Sequence, residues 1–186
     1  LQSALFSPAK YGILPEILPH ERLSAGNGAL EFWTFLAIVG GTVAGGWLGD
    51  RLLTRIPAAY FLVSGVGLAL SVPCAAAVIL LEDRTWALAA IFLAEILIFL
   101  NTGPLNAIIA NVSRAEVRAT AYAMNIFVIH ALGDAISPTI VGMVSDRVGL
   151  AAAFWIAPAS LALAALFCFW GMAGFARDVS PLRGSP

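Results

Sequence analysis

The 186-residue chain is 60% hydrophobic and 11% charged, with a net charge of −1 and a mean hydropathy of +0.91. Soluble domains carry about 25% charged residues, so this composition excludes an ordinary water-soluble fold and predicts an all-α polytopic membrane protein. The near-neutral charge gives no case for a nucleic-acid partner, and membrane lipids are the expected surroundings.

In chain order, residues 1–23 differ from the rest. "FSPAKYGILPEILPHERLS" holds three prolines in twelve residues with mixed charge. That pattern predicts the end of a truncated helix and then a turn-rich connector. The chain opens at Leu1 without Met or a signal-peptide pattern, which predicts a piece of a longer protein with an N-terminal part outside it. A transmembrane bundle over 24–178 follows. Its five full spans are predicted at about 24–48, 57–81, 86–111, 119–144 and 151–174. About 25 residues make roughly 37 Å of helix, enough to cross about 30 Å of hydrocarbon with tilt. A short tail, 179–186, is predicted to be cytoplasmic.

Loop cations set the orientation. One side collects Arg51, Arg55, Arg114, Arg118, Arg177 and Arg183; the other collects Lys10, Arg22, Arg84 and Arg147. The bias places the first set, and the C-terminus, in the cytoplasm. The first span closes on Gly46-x-x-x-Asp50-Arg51, and the fourth on Gly142-x-x-x-Asp146-Arg147, 96 residues later. Three spans separate the copies, so they end on opposite faces, as an inverted repeat requires.

Small residues mark the spans. Gly41, Gly45 and Gly49 form a seam on the first, and Ser64, Gly67 and Ser71 share a face of the second; either static packing or a sliding contact uses such seams. Pro73, Pro104, Pro138 and Pro158 each free a backbone carbonyl and can kink a helix. Cys74 and Cys168 read as small apolar-run side chains.

Few ionisable residues lie at depth: Glu31, Glu95, His130 and Asp134. At 100° per residue, Asn27, Glu31 and Thr34 fall within about 60° on the first span, and Glu95, Thr102 and Asn106 within about 40° on the third. On the fourth, His130, Gly133, Asp134 and Ser137 fall within about 100°. Three polar stripes on apolar cylinders predict one shared interior. Glu31, Glu95, His130 and Asp134 are candidates to bind or relay protons, and Asn101, Asn106 and Asn125 either line the pathway or join helices. No metalloprotease, nucleophile-elbow or phosphate-loop motif appears, and no cofactor or metal is predicted. An intramembrane enzyme would need His130 and Asp134 beside a nucleophile such as Ser137.

The D-R helix end followed by basic residues resembles the loop motif of the major facilitator superfamily. That resemblance implies a half-bundle of a transporter with alternating access, in which Gly46, Asp50, Arg51, Gly142, Asp146 and Arg147 latch or gate the two halves. From Gly45 onward, "GGWLGDRLL", "FLNTGPLNAIIANV" and "EVRATAYAMNIFVIHALGDAISPTIVGMVSDR" look like the C-terminal spans of spinster-like lipid transporters, over about 45–178. There Asn101, Asn106, Asn125, His130 and Asp134 would line the cavity wall. Residues 1–46, "SPAKYGILPEILPHERLSAGNGALEFWTFLAIVGGTVAGG" among them, are similar to bacterial lysophospholipid transporters. The two resemblances meet at 40–49 and number the first span eight or five respectively. Both imply a lipid-like small-molecule substrate with one fatty chain, a missing N-terminal transporter half as partner, and a place in a bacterial inner membrane. Efflux of drugs or other small molecules, or a non-transporting membrane remnant, are the alternatives.

Overall fold

The computed structural model describes residues 19–179. The described residues are 87% helical, as a hydrocarbon environment demands: without water, each backbone N–H and C=O must find its partner inside the segment. A 3₁₀ turn, His20–Arg22, leads into α1, Leu23–Leu53. Then come α2, Ala59–Leu80, α3, Arg84–Phe99, and α4, Thr102–Val112. The remainder is α5, Arg118–Ile129, a π-helical turn, His130–Asp134, α6, Ser137–Val148, the short α7, Leu150–Ala153, and α8, Ile156–Val179. These assemble into five helices long and apolar enough to cross a membrane, at 20–53, 59–80, 85–112, 118–148 and 150–175. The helix end expected before residue 19 and the tail beyond residue 179 lie outside the described residues.

Local chemistry explains the boundaries. α1 runs past its apolar stretch through Asp50 and Arg51, and stops before Pro57, where the Arg55 and Ile56 amides both donate to the Leu52 carbonyl (2.9 and 2.8 Å). Asp83 caps α3, its carboxylate accepting from the Thr85 and Trp86 amides at 2.9 and 3.1 Å. α6 ends on Gly149 at φ +89°, a conformation that glycine adopts without Cβ strain. Of the four prolines that could kink a span, Pro104, Pro138 and Pro158 sit in the first turns of α4, α6 and α8, where the missing N–H would have had no helical partner. Pro73 alone of the four is inside a helix, α2.

The core joins spans one, two, three and five. Leu30, Leu68, Ala75, Val78, Ile91, Ala94, Ile98, Ala157, Leu161 and Ala165 form one buried cluster to which span four contributes nothing. Close approach depends on glycine. A methyl on Gly45 would fall 1.9 Å from the Leu100 carbonyl oxygen, and one on Gly41 2.5 Å from that of Ile96. Leu100 sits at the break between α3 and α4, and its carbonyl lies against the Gly45 backbone. Gly67 of α2 meets the Leu97 carbonyl, and Gly103 meets the Gly46 backbone, so three spans touch main chain to main chain around 96–103. α2 and α8 pack reciprocally: the Phe169 ring fills the space beside Gly65, and the Phe61 ring that beside Gly171.

Candidate functional site

Two polar groups sit at membrane depth, and the structure keeps them apart. The first joins α1 to α3. Thr34 and Glu95 are both buried, at 8% and 4% exposure. Thr34 Oγ1 lies 2.8 Å from the Leu30 carbonyl and 3.1 Å from Glu95 Oε1. A hydroxyl carries one proton, so Thr34 donates to one of these acceptors at a time. Edge-to-face packing of Trp33 on Phe92, centroids 5.5 Å apart, flanks the contact. Glu31, one turn before Thr34, is exposed.

The third span breaks at Leu100–Asn101, between α3 and α4. Asn101 is buried, and its Nδ2 donates to the Ile98 carbonyl at 2.6 Å, satisfying a carbonyl in the last turn of α3. The break changes the helical phase. Glu95 is buried while Asn106, placed on the same face by 100° counting, is exposed. The Asn106 main-chain carbonyl accepts from Tyr122 OH at 2.9 Å, tying α4 to α5.

The second group lies on span four. His130 Nδ1 hydrogen-bonds Asp134 Oδ2 across the π-helical turn, with the two side chains 65% and 48% exposed. The turn closes through the Ala135 amide, which donates to the His130 carbonyl at 3.0 Å. Single-turn π segments are frequent at functional sites. Gly133 and Ser137 are buried and Asn125 half-buried. Ser137, the nucleophile an enzyme reading requires, is thus buried while the acid–base pair is exposed. The stripes expected to share one interior are divided in the structure between the α1–α3 contact and the outer face of span four.

The two D-R pairs both occupy the last turn of a helix, Asp50 and Arg51 in α1, Asp146 and Arg147 in α6. Asp50 does not pair with its neighbour. Its Oδ1 accepts from Tyr60 OH at 2.8 Å, while the Arg51 guanidinium lies over the Trp47 ring, 5.3 Å from its centroid. Methyl groups on Gly46 or Gly142 would meet nothing within 4 Å. Beside Tyr60 lies a cavity of about 140 Å³ lined by Leu53, Pro57, Phe61, Ile108, Val112 and Phe175. Ligand pockets for drug-sized molecules span roughly 300–1,000 Å³, so this space is too small to enclose a single-chain lipid.

Sequence reasoning missed the partners more than the residues. Tyr60 as the donor to Asp50 had one signal, its position just past the Pro57 turn. Thr34 stood on the polar stripe, but nothing in the sequence joined it to Glu95.

No family model matches the chain. The lysophospholipid transporter LplT of Photorhabdus laumondii is 50% identical over 48 residues, 26% of this chain and 12% of the relative. That of Serratia proteamaculans is 54% identical over the same lengths. The protein named "Probable sphingolipid transporter spinster homolog 3" of Arabidopsis thaliana is 30% identical over 115 residues, 62% of this chain and 22% of the relative. The chain, an integral membrane protein, therefore matches 12% to 22% of the length of these relatives, and each of them is named as a transporter of lipid.

Proposed function

We propose that this chain is part of a secondary transporter that moves a single-chain lipid, of lysophospholipid or sphingoid type, by alternating access. The observation that carries the reading is the double similarity: two kinds of relative, matched over different lengths, are both named for lipids. On this reading the site is completed by further protein, the N-terminal transporter half, with the described spans forming one wall. Two separate polar groups, Glu95 with Glu31 near it and His130–Asp134 with Asn106 and Asn125, carry protons or contact the headgroup on this reading, and Asn101 holds the break. Asp50 and Arg51 on one face, and Asp146 and Arg147 on the other, latch the access states. The C-terminus and Arg51 face the cytoplasm of a bacterial inner membrane.

The test is uptake of labelled lysophosphatidylethanolamine by cells lacking the full-length gene. Uptake is expected to fall in the deletion strain and return with the wild-type gene. Asp134→Asn in that gene is expected to cut the restored rate about tenfold or more. Unchanged uptake in the deletion strain would overturn the lipid reading, and full restoration by the variant would remove Asp134 from the pathway.

A further inference from the structure

The end of α1 carries a second polar feature, of which the transport reading uses Arg51 alone. A hollow of about 310 Å³ is lined by Arg51, Leu52, Thr54 and Arg55. Both arginines are exposed, and among the described residues neither guanidinium lies within ion-pair distance of a carboxylate. The adjacent acid is already engaged, since Asp50 accepts from Tyr60. The helix end does not consume the arginine donors either. Thr54 Oγ1 donates to the Arg51 carbonyl at 3.0 Å, and two backbone amides serve the Leu52 carbonyl. Two arginines with no carboxylate partner among the described residues thus line one hollow, and guanidinium forks are the donors that match a phosphate.

The surroundings choose the source of that phosphate. Arg51 is stacked over Trp47, and Val43, Trp47 and Leu53 are exposed apolar side chains on the final turns of the same helix. An exposed indole one turn below free cations, at the end of a membrane-crossing helix, marks the headgroup level. We propose that Arg51 and Arg55 bind the phosphodiester of an anionic membrane phospholipid, with Trp47 holding Arg51 at headgroup depth and lying along the glycerol and upper acyl chain. This lipid is a resident ligand, and the inference does not depend on what the protein transports.

The test uses the full chain purified in non-ionic detergent, with bound lipid counted by native mass spectrometry. Dioleoylphosphatidylglycerol is expected to be retained at lower concentration than dioleoylphosphatidylcholine. The R51Q/R55Q variant is expected to lose this preference, at about fivefold in apparent affinity per arginine, while R114Q/R118Q keeps it. Equal retention of the two lipids, an unchanged preference in R51Q/R55Q, or the same loss in R114Q/R118Q would overturn the site. Displacement of phosphatidylglycerol by an equal concentration of inorganic phosphate would make it a free-anion site and overturn the lipid assignment. A second measurement needs no arginine variant. In phosphatidylcholine vesicles, the emission lost on W47F is expected to be quenched more by added brominated phosphatidylglycerol than by brominated phosphatidylcholine. Equal quenching would count against the proposal.

Discussion

At the scale of single residues, Thr34 is a small hydroxyl placed between a main-chain carbonyl of its own helix and a carboxyl from another. Only the second contact holds spans together. Removing it by Thr34→Val keeps the shape and the burial. Interhelical hydrogen bonds in membranes average about 0.6 kcal/mol, so a modest fall in thermal stability in detergent is expected, with Thr34→Ser returning most of it. A fall in Thr34→Ser as large as that in Thr34→Val would show that the methyl packing, and not the hydroxyl alone, matters at this position. Asp50 admits a finer separation. Asp50→Asn retains an oxygen to accept from Tyr60, whereas Asp50→Ala does not. Stability is therefore expected to hold in the first and to drop by about 1 kcal/mol in the second. On the proposed transport reading, transport by the full-length protein is expected to slow in both, because the proposed latch uses the charge as well as the contact. Wild-type rates in Asp50→Asn would reduce the residue to a tether for Tyr60.

At the scale of elements, adjacent glycines of α1 have opposite tasks. A methyl at Gly45 collides with main chain at 1.9 Å, while one at Gly46 meets nothing within 4 Å. Gly45→Ala must push the third span away, at about 1–3 kcal/mol or more. Gly46→Ala is expected to be neutral or to stabilise α1 by up to about 1 kcal/mol through helix propensity. Unfolding of the two variants side by side reads the difference, and equal destabilisation would refute the packing. The elements themselves were legible in the sequence, because an apolar run of this length has one use, and proline and glycine mark where it pauses. Faces were less legible. Counting 100° per residue assumes an unbroken helix, and it fails at Leu100–Asn101, so Glu95 and Asn106 part company. The π-helical turn at His130–Asp134 defeats the same count, and no residue type announces it. Which helix faces which is fixed by carbonyl-to-glycine contacts between distant spans, such as Leu100 with Gly45, and hydropathy does not encode those pairings.

At the scale of the whole molecule, four spans share a core and the fourth in sequence stands beside it. Span four has 17% of its apolar window buried, against 44% for span two. The Tyr122–Asn106 bond ties it to α4, and the short turn through α7 leads on to α8. This is the span with the His130–Asp134 pair, so the more adjustable helix carries the more exposed polar group. Trypsin applied after extraction is expected to cut first at Arg114, Arg118 or Arg147, which flank span four, before Arg51 or Arg55 at the end of α1, a helix of the shared core. Cleavage in the reverse order would show that span four is held more firmly than its burial implies.

The core membership of α8 has a consequence in time. α2 cannot complete its packing until Phe169 and Leu161 arrive to fill the places beside Gly65 and Leu68. Synthesis proceeds at about 5–20 residues per second, so the earlier spans wait several seconds, inserted yet unclosed, while span four emerges and is set aside. During that interval the Gly65 face of α2 is open to wrong partners, and nascent chains halted before α8 should be the form that membrane quality-control proteases recognise.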